Sequence, residues 1–242
     1  MDKRKLTRFI DKYHLGGIAN SVILKSSFKN KKLGTRFVTE DKTLLGIIQL
    51  DKWDFEDAII GIYTTEQLLN LLKVLDEDIT VSIIRTGDRP VSLKISDSVS
   101  SINYMLSDPD VINEPPQLQN IPEYELSIYM TPTVIGKFIA GNTALKEVSQ
   151  KFTVVTNGTS TKLVMGYSSA NTNRVIIPVT TSKFAPIDMV SFNAEYFNNI
   201  LIANKECESG ILQVSNAGIA KIDFKVDDYT CTYWLVADSD IS

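Results

Sequence analysis

Residues 2–14, with the sequence DKRKLTRFIDKYH, predict the first helix of the protein and set the pattern for the rest of the chain. Apolar side chains recur in this segment at the spacing of one helical face: Leu6, Phe9, Ile10 and Tyr13. Cations recur on roughly the opposite face: Lys5, Arg8 and Lys12, with Arg4 beside them. The segment therefore predicts a helix that packs on a core with one side and presents positive charge on the other.

Three more segments predict helices. One begins at Thr64, where Gln67 follows at the spacing of a capping box. Another begins at Thr131, with Pro132 at the first helical position, and the last opens near Asn193.

The four predicted helices form two matching pairs. An offset of 129 residues aligns the first helix with the third and the second with the fourth: Leu6 with Ile135, Arg8 with Lys137, Phe9 with Phe138, Leu68 with Phe197 and Leu71 with Ile200. One alignment of this kind could arise by chance. A single offset that serves two separated helix pairs indicates an internal duplication of about half the chain.

Between the helices, both halves are rich in β-forming residues interrupted by turns. The predicted strands of the first half are 22–25, 36–39, 44–50, 58–63, 79–85, 91–95 and 101–106. Those of the second half are 153–156, 162–167, 175–179, 211–214, 221–226 and 229–236. A hairpin turn is predicted at Asn157–Gly158. Each half is thus a predicted α+β unit with one helix, several strands, a second helix and three more strands.

The segment between the halves has no periodicity and contains four prolines: Pro109, Pro115, Pro116 and Pro122. This composition is typical of an extended linker. We therefore predict an N-terminal domain over residues 1–107, a connecting linker over 108–122 and a C-terminal domain over 123–242.

The composition is that of an ordinary globular protein, with 242 residues, 43% of them hydrophobic and 22% charged. No apolar run approaches the roughly 20 residues that a membrane-spanning helix needs, and the charged N-terminus does not predict an export signal. The two cysteines, Cys207 and Cys231, are expected to be buried thiols rather than a disulfide or a redox pair.

The net charge of −4 is unevenly distributed. Residues 1–36 contain ten Lys and Arg and two Asp, a net charge of +8, so residues 37–242 carry −12. A basic helix in an acidic protein raises the question of which partner it faces. Lys and Arg also commonly form the solvent face of an amphipathic helix, so the basic face alone does not establish nucleic-acid binding.

Candidate catalytic chemistry is sparse. His14 is the only histidine, which excludes a His-based triad and a multi-histidine metal site, and there is no Gly-rich phosphate loop. Acidic clusters at 51–57 and 76–78 have the loose spacing of solvated turns. We therefore expect no enzyme activity, no metal and no cofactor. The enzyme interpretation left open is a carboxylate-dependent hydrolase that uses Asp54 and Asp57.

The chain resembles a DNA sliding clamp. It has two similar halves with two helices and many strands each, a Pro-rich linker between them, and a basic helix in an otherwise acidic chain. The two-domain length, the basic first helix and the end at Ala237, Asp238 and Ser239 are most similar to the clamps of T4-like bacteriophages. The resemblance rests on the arrangement of essentially the whole chain, because the family has no short diagnostic motif.

The resemblance implies a DNA-clamp fold of two similar α+β domains, each with two helices packed on antiparallel β-sheets, assembled into a homotrimeric ring. Such a ring encircles duplex DNA without reading its sequence and tethers the replicative DNA polymerase as a processivity factor. The implied partners also include a clamp loader, late-transcription factors and host RNA polymerase, and no membrane. The implied location is on DNA in the cytoplasm of the infected bacterial host.

The resemblance also implies two sets of site residues. The cations expected to face DNA are Lys3, Lys5, Arg8, Lys12, Lys73, Lys137, Lys146 and Lys205. The second half is poorer in such residues, so we expect the first helix to carry most of the interaction. A pocket for partner peptides is expected beside the linker and the C-terminal tail, formed by Leu45, Ile47, Leu118, Ile121, Val236 and Ile241.

An alternative from another class is a β-rich virion or assembly protein. Its duplicated domains would pack against neighbouring copies, and its basic helix would merely face solvent. That alternative predicts no gain in polymerase processivity when a clamp loader is present.

Overall fold

The computed structural model describes residues 1–115, 121–168 and 173–238. The chain forms two compact units. Unit 1 comprises Met1–Thr39 and Gly46–Pro116, and unit 2 comprises Glu40–Leu45 and Gln117–Ser242. The domain limits at residues 107 and 123 stay predictions, and part of the predicted linker, 116–120, lies outside the described residues.

Unit 1 is built from two helices and seven strands in its described part. They are α1 (Lys3–His14), β1 (Val22–Ser27), β2 (Lys32–Val38), β3 (Leu44–Asp51, most of which lies in this unit), β4 (Ala58–Ile62), α2 (Thr65–Leu72), β5 (Thr80–Thr86), β6 (Arg89–Ser96) and β7 (Ser101–Met105). The strands lie side by side in the orders β3-β2-β1-β4 and β5-β6-β7.

Unit 2 repeats this plan and adds strands to it. Its elements are β8 (Leu126–Met130), α3 (Pro132–Leu145), β9 (Lys151–Asn157), β10 (Ser160–Met165), β11 (Val175–Val179), β12 (Thr181–Lys183), β13 (Val190–Asn193), α4 (Ala194–Ala203), β14 (Gly210–Ser215), β15 (Ile219–Val226) and β16 (Tyr229–Val236). The strand orders are β11-β10-β9-β13 and β12-β8-β14-β15-β16.

The internal duplication predicted from the helices extends to the strands. The order β11-β10-β9-β13 matches β3-β2-β1-β4, and β14-β15-β16 matches β5-β6-β7. The first residues of α1 and α3, Lys3 and Pro132, are 129 positions apart, and so are Thr65 and Ala194 at the starts of α2 and α4. The predicted offset of 129 residues therefore aligns the starts of both helix pairs.

The third and fourth helices begin where their caps predict. The hydroxyl of Thr131 accepts the backbone N–H of Val134 at 3.3 Å, and the side-chain oxygen of Asn193 accepts the N–H of Tyr196 at 2.9 Å. Each cap satisfies an N–H group that has no partner within its helix.

The capping box predicted for α2 is wrong, although the helix starts at the expected place. The side chain of Thr64 makes no cap hydrogen bond. Asn20 takes its role, because its carbonyl oxygen accepts the N–H of Thr65 at 2.9 Å and its side-chain oxygen accepts the N–H of Glu66 at 3.1 Å. A distant residue thus supplies the acceptors that the local pattern assigned to Thr64.

The two units have different cores beneath their helices. In unit 2, the ring of Phe197 lies 4.9 Å from that of Phe138 and 4.7 Å from that of Phe152, measured between ring centroids. In unit 1, the position that matches Phe197 is Leu68, which is buried with Phe9 and Ile10. The helix packing is therefore aromatic in unit 2 and more aliphatic in unit 1.

The sequence pattern missed three strands of unit 2, namely β8, β12 and β13. β12 has only three residues and β13 runs directly into α4, so neither forms a long period-two segment. β8 is as long as strands that the pattern found, and its apolar residues Leu126, Ile128 and Met130 alternate, so it could have been predicted. The hairpin between β9 and β10 is confirmed, with Gly158 at a positive φ of 61°. Ser107, the last residue of the predicted N-terminal domain, donates its N–H to the carbonyl oxygen of Gly61 at 3.0 Å.

Candidate nucleic-acid interface

Helix α1 carries most of the positive charge on the helices. It contains five Lys and Arg and one Asp, a net charge of +4, whereas α2, α3 and α4 carry −1, +1 and −1. Its predicted apolar face is buried, with Leu6 only 5% exposed and Phe9, Ile10 and Tyr13 fully enclosed. Core packing therefore fixes the rotation of α1 about its axis.

That rotation decides which cations point outward. Successive residues of a helix are turned by about 100°, so Arg4 and Arg8 lie opposite the buried face, while Lys5 and Lys12 flank it. The exposures agree: Arg4 is exposed, Arg8 and Lys5 are half-buried, and Lys12 is fully buried.

Lys12 is a correction to the predicted DNA-facing set. Its side chain has no exposed area. Residues 12–15 are all buried, so the last turn of α1 is enclosed on every side rather than on its apolar face alone. A side chain in that position does not reach a phosphate without repacking the end of the helix.

Two predicted cations at the start of α1 are anchored by backbone carbonyls. The ammonium group of Lys3 donates to the carbonyl oxygen of Leu75, and that of Lys5 donates to the carbonyl oxygen of Lys52 at 2.9 Å. These two hydrogen bonds hold the ammonium groups close to the backbone of unit 1.

Arg4 belongs with this surface although the predicted set did not include it. Its Nε lies 2.7 Å from Oε2 of Glu77, and the two side chains are 71% and 55% exposed. An exposed ion pair of this kind is worth only about 0–1 kcal/mol. Arg4 is thus available to exchange its carboxylate partner for a phosphate. The helical position of Arg4, directly opposite the apolar face, could have identified it from sequence.

The remaining predicted cations are exposed, and most of them lie at helix C-termini. Lys73 and Lys146 are the C-cap residues of α2 and α3, and Lys205 follows the C-cap of α4. Cations there also stabilise the helix dipole, which is a structural role independent of any partner. Lys137 lies in the middle of α3 and has no such role. A DNA-facing role for these four residues stays a prediction.

The predicted peptide pocket is described only in part. Leu118 and Ile241 lie outside the described residues. Ile121 and Val236 are 57% and 46% exposed, Ile47 is half-buried, and Leu45 is only 8% exposed. Within unit 2, the N–H of Val236 donates to the carbonyl oxygen of Thr43 at 2.8 Å, which places Val236 beside the segment that leads to Leu45. The role of these residues stays a prediction.

Buried polar groups connect the two helices of unit 1. The hydroxyl of Tyr13 lies 3.3 Å from that of Thr65, and burial raises the pKa of Tyr13. His14, the last residue of α1, is also buried; burial lowers its pKa, and the charge of Glu66 partly opposes that effect. His14 is therefore neutral at pH 7 and does not add to the positive charge of α1.

Other chemistry is limited in the described residues. No group of three or more His, Cys, Asp or Glu residues there could hold a metal ion. Cys207 and Cys231 are free thiols, 3% and 0% exposed, which confirms the prediction that they are buried. None of the described helices is long and apolar enough to span a membrane.

Comparison with solved structures identifies the fold. Proliferating cellular nuclear antigen (PCNA) from Entamoeba histolytica superposes with a TM-score of 0.76 and 11% identity, over 98% of this chain and 96% of that chain. A structure of A. fulgidus PCNA, bound to the C-terminal region of FEN-1, superposes with a TM-score of 0.77 and 14% identity, over 100% of this chain and 98% of that chain. No protein-family model matches the chain, and no curated protein matches it significantly.

The chain therefore has the DNA-clamp fold of PCNA, with similar units built from two helices and antiparallel sheets. This confirms the predicted fold class. At 11% and 14% identity the likeness concerns the fold, and the activity has to be argued from the residues of this chain.

Proposed function

We propose that the protein is a sliding clamp, a non-enzymatic ring that encircles duplex DNA and tethers the replicative DNA polymerase as a processivity factor. The observation that carries the proposal is the likeness to PCNA over 98–100% of the chain, combined with a net charge of +4 on α1. Neither feature would suffice alone, because a fold hosts many functions and basic helix faces are common.

The charge distribution supports a topological rather than a sequence-specific interaction. Three copies of a chain with net charge −4 carry −12, so duplex DNA is repelled by most of the surface. At a screening length of about 8 Å in physiological salt, acids farther away barely weaken the field close to α1. Contacts from Arg and Lys to phosphates carry no sequence information and permit movement along DNA.

The finer points of the proposal rest on the resemblance to T4-like bacteriophage clamps. They are a homotrimeric ring, a clamp loader that opens it, and a role in viral DNA replication. They also include late-transcription factors and host RNA polymerase as further partners, in the cytoplasm of the infected bacterium. The A. fulgidus PCNA structure is bound to a C-terminal region of FEN-1, which supports peptide docking as the way in which polymerase is held.

A topological experiment tests the proposal. The protein is loaded onto nicked circular DNA by its cognate clamp loader and ATP, freed of unbound protein by gel filtration, and followed after a restriction enzyme opens the circle. A ring should stay on the circle and leave the linear product. Equal retention on both forms would show that the protein is not held by encirclement.

Two further measurements separate the parts of the proposal. Native mass spectrometry should give three chains, and a stable monomer would contradict the ring. Arg4→Glu with Arg8→Glu should weaken retention on circles without changing the chain number. Lys94→Glu with Lys225→Glu, at exposed positions outside the helices, changes the net charge by the same amount and provides the matched control. Unchanged retention in the Arg4/Arg8 double variant would remove α1 from the interface.

A further inference from the structure

The two units differ in the pairing at one edge of a sheet. In unit 2, β14 pairs with β15 on one side and with β8 on the other. In unit 1, the matching strand β5 pairs with β6 and has no second strand neighbour among the described residues. Edge strands present unpaired N–H and C=O groups and readily accept an added strand.

Unit 2 shows what such a strand does at this position. In β8, the side chains of Leu126, Ile128 and Met130 are fully buried. On its other side β8 pairs with β12, in the register Thr181 with Ile128. The strand is therefore held between two walls, β14 and β12.

In unit 1, the counterparts of these two walls are β5 and a segment that forms no strand. The offset of 129 places residues 52–54 at the position of β12 (181–183), and β5 at the position of β14. Between them lies an open groove of about 660 Å³. One wall consists of residues 54–57, and the other of Val81 and Ser82 in β5, with Phe28 completing the lining. All these residues belong to unit 1.

The groove combines apolar and acidic groups. Phe28 is 56% exposed, and the half-buried Phe55 packs on Trp53 with 5.7 Å between ring centroids. Exposed aromatic side chains of this size are typical of interaction surfaces. At the rim, the carboxylate of Asp57 accepts the N–H of Phe28 at 2.8 Å, and Asp54 is exposed beside it.

We propose that this groove binds an extended segment of a partner protein, which adds to β5 as an antiparallel strand. Alternate apolar side chains of the segment pack on Phe28, Phe55 and Val81, as those of β8 pack in unit 2. A Lys or Arg of the segment faces the acidic rim at Asp54. This site goes beyond the proposed clamp function and differs from the predicted peptide pocket in its residues. The acidic cluster at 51–57, which the sequence left without a role, forms part of it.

Synthetic peptides test the proposal with the full chain and no DNA. The probe is Lys-Leu-Ser-Ile-Tyr-Met-Lys, which carries the sequence of β8 between two lysines. The first control replaces both lysines with glutamate, and the second replaces Ile with Pro, which lacks the N–H that a ladder needs. The lysine peptide should bind at least several-fold more tightly than either control. No binding of the lysine peptide, or equal binding of all three, overturns the proposal.

Backbone amide exchange shows where the peptide docks. Binding should slow exchange within β5, because its edge N–H groups become hydrogen-bonded. Protection confined to other strands would place the peptide elsewhere and overturn the proposal. Protection of β5 that rises with protein concentration in the absence of peptide would identify a second copy of the chain as the occupant, which also overturns it.

Two variants and their controls separate the apolar and acidic contributions. Phe28→Ala should weaken binding of the lysine peptide about tenfold, the effect of removing a buried aromatic contact. Asp54→Lys should weaken it about three- to fivefold and reduce the preference over the glutamate peptide. Val99→Ala and Asp88→Lys change exposed positions of unit 1 outside the groove lining and should leave binding unchanged. Equal losses in variants and controls would contradict the site.

An intramolecular competitor provides an independent test. The amino group of Met1 donates to the carbonyl oxygen of Ile79 at 2.6 Å, and the N–H of Ile79 donates to the carbonyl oxygen of Met1 at 2.9 Å, so Met1 is paired with the residue that directly precedes β5. The same offset pairs Met1 with Met130. Adding Leu-Ser-Ile-Tyr before Met1 recreates the sequence of β8 and should abolish peptide binding. Retained binding would contradict the site. The clamp proposal is tested separately, by retention on circular DNA. Failure of peptide binding would therefore not contradict the clamp proposal, and loss of DNA retention would not contradict the peptide site.

Discussion

The two units have one strand order and one register, yet they differ in three ways that matter for function. The first helix carries a net charge of +4 in unit 1 and +1 in unit 2. The core under the helices is more aliphatic around Leu68 in unit 1 and aromatic around Phe197 in unit 2. The strand that flanks β14 has no counterpart beside β5 among the residues that the structure describes. Duplication thus repeated the backbone plan, while the side chains and the sheet edge took different roles.

This difference shows which properties a clamp-like fold leaves variable. Strand order and helix starts depend on the alternation of apolar residues and on caps, and both halves satisfy them. That pattern is not altered by the charge on the outer face of a helix, or by the presence or absence of a strand at one edge of a sheet. They are therefore the places where one unit can specialise for DNA and for a partner strand.

The largest effect is expected from removing the aromatic centre of unit 2. Phe197→Ala should lower the free energy of unfolding by about 3–5 kcal/mol, because the ring is fully buried against Phe138 and Phe152. Leu68→Ala, at the matching position of unit 1, should cost about 2–4 kcal/mol.

Each unit contains one of the two tryptophans, Trp53 and Trp234, so urea unfolding followed in single-tryptophan variants reports on the units separately. The exposed Ile202→Ala on α4 is the control and should change stability by about 0.5 kcal/mol or less. Equal costs at Phe197 and Ile202 would show that the aromatic cluster is not a major stabilising element.

The second prediction separates burial from DNA contact on α1. Lys12→Glu should destabilise unit 1 by about 3–5 kcal/mol, because it reverses the charge of a fully buried side chain. Arg8→Glu should leave stability within about 0.5–1 kcal/mol and weaken DNA retention.

Thermal unfolding and retention on circular DNA are measured for both variants, with Lys12→Met as a volume-matched control for the loss of charge. If Lys12→Glu folds normally and loses only DNA retention, the burial of Lys12 does not hold in solution.

The third prediction compares the two helix caps. Asn193→Ala should destabilise unit 2 by about 1 kcal/mol, because it removes the acceptor of the Tyr196 N–H. Thr64→Ala should cost a few tenths of a kcal/mol at most, since the Thr64 side chain makes no cap bond. Asn20→Ala should instead lower the stability of unit 1 by about 1 kcal/mol or more, because it removes the side-chain oxygen that accepts the N–H of Glu66. A lower urea midpoint for Thr64→Ala than for Asn20→Ala would reverse the assignment.

The smallest effect is expected from the single histidine. Burial lowers the pKa of His14 in the folded state, so the unfolded chain binds the proton first. The contribution of His14 to stability is therefore constant above the unfolded pKa of about 6.5 and falls as the pH drops below it.

The position that matches His14 in unit 2 is the exposed Thr143, which does not titrate in this range. His14→Thr should flatten the pH dependence of the unit 1 unfolding midpoint between pH 8 and 5.5 and leave that of unit 2 unchanged. An identical pH slope before and after the substitution would exclude His14 as its source.

Sequence alone determined the duplication, the four helix positions, most strands and the α+β class. These depend on local periodicity, on caps such as Thr131 and Asn193, and on turn residues such as Gly158, all of which are readable over a few positions. Short strands such as β12 left too few residues for a period to appear.

Only the tertiary structure decided how particular side chains are used. Lys12 lies on the basic face by spacing but is enclosed by packing around the last turn of α1. The cap of α2 comes from Asn20, which lies far from it in sequence. The groove beside β5 is formed by residues from three separate segments. Periodicity records which way a residue faces along its own helix or strand. Burial, capping by distant residues and grooves depend on what the rest of the chain places beside it.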